Sequence, residues 1–323
     1  MTAVTDVPTA ATPARKPALA RLAPILLPIA ILVVILGIVF WMRPIAMSYF
    51  GLTLMLKLSV PLIFAALSQM LIISQGDLDL STGAYVGFVT CVSAVYLGSD
   101  PALGWAIIAG SVVLQGLVGL FTWLRRLPSI VVTLGMSFVW LGLALFVLPT
   151  PGGQAPNWLT AIPQWRPPYV PLPIVVAILA ILVFEVTLMR SAAGAVLRGA
   201  GGNPAAVTRA GWSVAGLRTA AYVLAAICAV FSGLALSALT TSGAPNIAPA
   251  YTLLSIASVI LGGGAFIGGI VSPFGTVIGA VTLTLVSSVL TFVNVPSVWQ
   301  IGAQGALLVV VLLARGLVSG DRT

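Results

Sequence analysis

Long apolar runs separated by short polar or charged segments organise this chain. They lie at about 22–41, 50–73, 81–98, 102–124, 128–148, 170–189, 218–240, 251–263, 274–293 and 297–315. A helix needs about 20 apolar residues to cross the hydrocarbon core of a bilayer. The pattern therefore predicts an all-α, polytopic transmembrane bundle of about ten crossings over residues 19–316. Residues 1–18, rich in Thr, Ala and Pro, have no periodicity and predict a disordered tail, and 317–323 a second short tail. The first run is longer than a signal-peptide core and no A-x-A-like cleavage site follows it, so a retained first helix is expected. The run at 251–261 is too short to cross alone and leads into G-G-G-A-F-I-G-G at 262–269, so its helix must stop, bend or re-enter. Irregular backbone at membrane depth survives only inside protein or beside a water-filled cavity. Gly262, Gly263 and Gly264 thus read either as a flexible interfacial turn or as part of a pathway.

The loops carry the arginines. With Arg15, Lys16 and Arg21 set on the cytoplasmic side, parity puts Arg125, Arg126, Arg190, Arg198, Arg209, Arg218, Arg315 and Arg322 on that side too, leaving Arg43 and Arg166 outside. Both termini are then expected in the cytoplasm, 149–171 outside, and 190–218 as the longest cytoplasmic loop. Lys57 and Glu185, one or two turns inside opposite faces, are expected to snorkel or pair locally. Composition agrees with this class: 60% of residues are hydrophobic and 6% charged, against about 25% charged in soluble domains. In 323 residues the crossings leave no room for a soluble catalytic domain. The net charge of +8 is scattered between apolar runs, which does not point to nucleic acid. The chain has no His and one Glu, and Cys91 and Cys228 stand alone inside apolar runs, so no metal site is expected. No G-x-x-x-x-G-K-[ST] occurs, and Lys16 and Lys57 lie far from the glycine runs; no nucleotide or other cofactor is expected.

Residues 74–83 read S-Q-G-D-L-D-L-S-T-G, a glycine-bounded acidic turn between two apolar runs. A carboxylate near mid-depth costs about 2.5–3.5 kcal/mol on insertion scales. Asp77 and Asp79 must therefore sit at an interface or have partners, and the reading is a turn at the inner face closed by Gly83. Asp79 and Ser81 stand just before the third helix, where side-chain oxygens cap open N–H groups and a carboxylate favours the positive helix end. They either only cap or also move with a partner. Asp77 has no helix end to cap and is expected to pair with an arginine from another loop. The segment 198–214 reads R-G-A-G-G-N-P-A-A-V-T-R-A-G-W-S-V. It predicts a turn at Gly201, Gly202, Asn203 and Pro204, then a short helix over 204–210 able to press on a soluble partner. Gln69, Thr133, Ser137, Trp140, Asn246 and Gln300 are polar or aromatic residues within apolar surroundings. They read as interhelical hydrogen bonds or interfacial anchors, or as contacts for a polar solute.

Four segments in order carry a resemblance: Asp79-Leu80-Ser81-Thr82-Gly83, Thr133-Leu134-Gly135-Met136-Ser137, Gly202-Asn203-Pro204-Ala205-Ala206 running on to Gly211, and the glycine-rich 261–269. Together they resemble the ribose-type branch of the ABC importer permeases, relatives of the branched-chain amino acid permeases, over residues 60–315. Two departures are Asp77, where such sequences often carry Gly, and the absence from 204–211 of the Glu found in the E-A-A loop of other importer permeases. The resemblance implies a transport subunit rather than an enzyme, set in a bacterial-type inner membrane. It implies a cytoplasmic ABC ATPase docked on 201–211, an extracytoplasmic solute-binding protein and a second permease chain. It also implies a monosaccharide or similar small polar solute. An ion- or proton-coupled secondary transporter would need mid-depth Asp, Glu or His and inverted broken helices, of which only the broken segment is evident. A membrane enzyme would need convergent nucleophilic or acid/base groups, and none occurs outside the acidic turn.

Overall fold

The computed structural model describes residues 18–296 and, beyond them, helical positions 299, 302, 305, 306 and 309. Of the expected tails only Ala18 is described, as a helical residue; the final run as a continuous element and Gln300 lie outside the described residues. The helices are α1 (Ala18–Met42), α2 (Tyr49–Leu56), α3 (Ser59–Ser74), α4 (Thr82–Val95), α5 (Pro101–Leu124), α6 (Ser129–Val147), α7 (Asn157–Ala161), α8 (Leu172–Phe184), α9 (Ala192–Gly202), α10 (Pro204–Arg209), α11 (Val214–Thr240), α12 (Pro249–Leu261) and α13 (Pro273–Phe292). No strand is present among the described residues.

Local chemistry sets the boundaries. Asp100 caps α5 by accepting from the Leu103 N–H at 3.2 Å, with Pro101 in the first turn. Ser213 caps α11 through the Gly216 N–H, and Thr241 ends that helix in the left-handed conformation at φ 59°. Ser272 accepts from the Gly275 N–H at 3.0 Å, with Pro273 opening α13. Each cap satisfies an N–H that the first helical turn leaves without a partner. α8 continues through a π-helical turn, Glu185–Arg190.

Among the described residues, α5, α6, α8 with its π extension, α11 and α13 are long and apolar enough to cross a membrane, five in all, and the α2–α3 pair, bent by 44°, makes six. That is fewer full-length spans than the ten expected, of which the final run lies outside the described residues. α12 has 13 residues, as the short 251–261 run predicts, but α4 has only 14 where the 81–98 run predicts a crossing. At 1.5 Å per residue each reaches about 20 Å, short of the roughly 30 Å hydrocarbon core. α4 begins directly after the mostly buried 75–81 turn and ends at Val95, and α12 ends at Leu261 where the buried Gly262, Gly263 and Gly264 follow; irregular backbone at such points is tolerated inside protein.

The central column is α3, fourteen of whose sixteen residues are buried. It packs against α11, α12 and α13, while α11 also packs on α4 and α5. The outer faces of α5 and α6 expose Phe121, Phe138 and Phe146, as lipid-facing helices do. α12 and α13 meet backbone to backbone. A Cβ on Gly275 would stand 2.7 Å from the Gly262 carbonyl carbon, and one on Gly279 3.0 Å from that of Ser258, the small-residue crossing that packing in lipid favours. At the end remote from the loop arginines, Gly152 and Gly243 exchange two backbone hydrogen bonds of 3.0 and 2.9 Å, and Gln154 N–H donates to Ala94 O at 3.0 Å. Lys57 is exposed at the α2–α3 bend.

Candidate functional site

Two segments far apart in sequence converge on the 75–81 turn. The Gly269 N–H donates to Ser74 O at 2.9 Å, and Gln75 Nε2 donates to Leu197 O on α9 at 3.0 Å. Gly201 lies so close that a Cβ there would stand 2.7 Å from Gln75 Cα and 2.8 Å from its carbonyl carbon. Gly268, at φ 76°, packs its backbone between Gly201 and Gly76. The acidic turn, the 190–218 segment and the glycine-rich stretch therefore form one backbone-to-backbone joint.

The 190–218 segment is two helices rather than a loop. Ser191 caps α9 through the Gly194 N–H at 2.9 Å, and Asn203 Oδ1 caps α10 through the Ala206 N–H at 3.0 Å, with Pro204 at its start. The turn expected at 201–204 is thus a correction: Gly201 and Gly202 are the last residues of α9, and the chain breaks at Asn203 alone. The missing side chain at Gly201 serves close approach to Ser74 and Gln75. α10 turns Val207 inward against Ala200 and Val214, and leaves Ala205, Ala206, Arg209 and Ala210 exposed beside Gly211 and Trp212.

Asp79 is 3% exposed. Its Oδ1 accepts from the Ser81 N–H at 2.7 Å and the Ser81 hydroxyl at 2.6 Å, and its Oδ2 accepts from Gln115 Nε2 at 3.1 Å. Gln115 Oε1 in turn accepts from Trp140 Nε1 at 3.3 Å. With its amide oriented to satisfy its neighbours, Gln69 accepts from the Asp79 N–H and donates to Asp79 O, both at 3.1 Å. Thr133 Oγ1 accepts from the Leu80 N–H at 3.0 Å, and the Gly83 N–H donates to Thr252 Oγ1 at 3.0 Å. The candidates Gln69, Asp79, Ser81, Gly83, Thr133 and Trp140 thus belong to one network around the turn.

Two readings of the turn change. Ser81 is the N-cap of α4 but accepts no capping bond, and Asp79 binds the N–H and hydroxyl of Ser81 itself, so neither side chain caps the helix. The turn also runs inward from the arginine-bearing end, where the Leu78 N–H donates to Ser129 Oγ at the start of α6 at 3.2 Å. Gln115 lies nine residues before Leu124, about 14 Å from the Arg125 end of α5 at helical rise. A carboxylate does stand at depth, yet both its oxygens are engaged by protein donors and the residue is closed off.

Asp77 has the arginine partner expected of it. Arg218, on the first turns of α11, forms an ion pair with Asp77 Oδ2, to which Tyr222 Oη also donates at 3.2 Å. The Arg218 guanidinium lies 5.1 Å from the centre of the Trp123 ring, a cation–π contact.

The remaining candidates lie apart from this network. Ser137 is half-buried and donates within its own helix to Leu134 O. Asn246 is exposed at the opposite end. Gly262, Gly263 and Gly264 are all buried, Gly262 against Gly275 and Gly264 against Val259. In this arrangement they pack into the α12–α13 hairpin. Gln115, Thr252, Arg218, Tyr222 and Trp123 are the residues the sequence reading missed. Gln115 carried the same signal as Gln69, a lone amide in an apolar run.

The family described as branched-chain amino acid transport system / permease component matches residues 51–312, which takes in the joint, the buried network and the α9–α10 surface. A probable ABC transporter permease protein of Sinorhizobium fredii is 28% identical over 279 residues, covering 84% of this chain and 83% of the relative. The L-arabinose ABC transporter permease protein of Azospirillum brasilense is 28% identical over 273 residues, covering 80% and 78%. The ribose import permease protein of Bacillus subtilis is 28% identical over 263 residues, covering 77% and 80%. No solved structure matches the chain. The apolar multi-helix fold and a match over most of the sequence lead to one assignment: the chain belongs to the permease components of the branched-chain amino acid transport family, membrane subunits of transporters.

Proposed function

We propose that this chain forms the translocation pathway of an ATP-binding-cassette importer for a monosaccharide or similar small polar solute. The observation that carries the reading is the α9–α10 unit, which exposes Ala205, Ala206 and Trp212 on one side and rests its other side on the backbone of the α3–α4 turn. A surface of that kind receives a push from a soluble partner and hands it to the membrane core. Relatives named for ribose, L-arabinose and galactose/methyl galactoside support the solute class. The sequence has no phosphate-binding loop, so a separate cytoplasmic ATPase supplies the energy at the arginine-rich end, where both termini also lie. A solute-binding protein delivers cargo at the other end, and a second permease chain, identical or homologous, completes a two-fold assembly.

Substitution Ala206→Arg tests the docking surface. A long charged side chain in an apolar contact brings clash and desolvation together, about several kcal/mol, while leaving insertion untouched. Co-expressed with its ATPase in vesicles, the parent is expected to take up labelled ribose, galactose or arabinose with ATP. The variant, inserted at the parent's level, is expected to lose the ATPase on purification and to lose uptake. Normal co-purification together with parental uptake would remove α10 as the docking element.

A further inference from the structure

We propose that Asp77 and Arg218 are positioning residues for coupling: the pair passes displacement of α9 on to the buried network and thereby ties solute movement to ATP hydrolysis. The inference rests on the reading of α9–α10 as the surface that bears the ATPase. α9 meets the turn through the backbones of Gly201, Ser74 and Gln75, with Gly268 wedged alongside. No long side chain lies between them to absorb a shift, so moving α9 moves residues 74–76. Asp77 is the next residue, and Arg218 holds it to α11, the helix that packs on α3, α4 and α5. The pair is the only salt bridge among the described residues, and Tyr222 and Trp123 brace it from α11 and α5. Two residues further on, Asp79 continues the connection through Gln115 to Trp140 on α6.

A rigid strut would have every polar atom satisfied, and this one does not. Arg218 Nε and Gln75 Oε1 are both buried without a hydrogen-bond partner, on either flank of the same turn. Only two other side-chain atoms among the described residues share that condition. Buried polar atoms are normally paired, so these two are the groups that a second arrangement of the joint would satisfy. Room for it exists. A cleft of about 350 Å³, lined by Gly76, Asp77, Thr122, Trp123, Arg126 and Arg218 among others, opens beside the guanidinium. A pair tied to α9 through backbone contact and bordered by a cleft beside the guanidinium has what a two-state coupling element requires.

The test uses the assembled complex in vesicles with labelled ribose, galactose and arabinose as probes, and compares Asp77→Asn, Arg218→Gln and Arg218→Lys with the parent. Asp77→Asn and Arg218→Gln are expected to assemble with the ATPase and hydrolyse ATP within about twofold of the parent, while solute moved per ATP falls about tenfold. Arg218→Lys keeps the charge and should hold that ratio near the parent's. A readout independent of solute is maleimide labelling of Leu127→Cys, an exposed position that lines the cleft. Trapping with ATP and vanadate should change its rate in the parent background and leave it unchanged with Asp77→Asn. Parental solute per ATP in both neutral variants overturns the proposal. So does a parallel fall of yield, hydrolysis and uptake with no recovery in Arg218→Lys, which is the mark of a purely structural pair. If Ala206→Arg uncouples and Asp77→Asn does not, the docking reading stands and the joint fails; if Ala206→Arg is silent, the docking reading fails on its own.

Discussion

Alanine at Gly201 measures how directly α9 bears on the α3–α4 turn. The new Cβ would stand 2.7 Å from Gln75 Cα, where ordinary contact begins at 3.4 Å. The Ser74 carbonyl oxygen lies closer still, so α9 must retreat by more than the 3.4 − 2.7 = 0.7 Å that Gln75 Cα alone demands, because the obstruction is backbone and cannot rotate away. Overpacking of this kind costs about 1–3 kcal/mol, and the helix propensity gained from Gly to Ala returns at most about 1 kcal/mol. Gly202, the adjacent residue, is the control. Its added Cβ would find its nearest neighbour at 3.6 Å, so it has the propensity gain and no clash. The assay is the thermal midpoint of each purified variant together with hydrogen–deuterium exchange across residues 74–81. At about 2–4 °C per kcal/mol for a large domain, Gly201→Ala is expected to melt several degrees below Gly202→Ala and to exchange faster through the turn. Gly202→Ala should match or exceed the parent. Two variants with equal midpoints and equal exchange would mean that α9 does not lean on the turn, and the joint described above would be wrong.

Other outcomes follow from the same geometry. Gln115→Leu removes both the donor to Asp79 and the acceptor for Trp140, leaving a buried carboxylate short of a partner at a cost of about 1.5–3 kcal/mol. Folded protein extracted in mild detergent should fall sharply and recover when Asp79→Asn is added; an unchanged yield of the single variant contradicts the network. Gly275→Ala drives a methyl to 2.7 Å from the Gly262 carbonyl carbon and should abolish a monodisperse peak on size-exclusion chromatography, whereas a normal peak would show that the α12–α13 crossing tolerates separation. A single cysteine at the exposed Ala205 should react with an impermeant maleimide only in inverted vesicles. Labelling from outside intact cells reverses the topology. Ala200, buried at 3%, would give no signal from either side.

The apolar pattern was sufficient for the class of protein, the placement of most helices and the shortness of α12. These depend on how individual residues partition between water and lipid, and that property is written locally. The need of Asp77 for a cationic partner was equally legible, since an acid in an apolar chain has few other ways to be stable. Which arginine answers it was not legible: the choice of Arg218 depends on α11 lying against α3 and α5, a relation no local window contains. The same limit explains α4. Its run is as apolar as a lipid-crossing helix, but hydropathy cannot separate residues turned toward lipid from residues enclosed by other helices. Enclosure lets α4 stop at 14 residues. Gly201 read from sequence as a turn former because glycine permits turns. Tertiary structure uses it instead for the absence of a Cβ, inside a helix, where another backbone passes. Sequence thus determined what each segment can be surrounded by, and packing alone decided which segments surround it, because burial is shared between parts of the chain that meet only after folding.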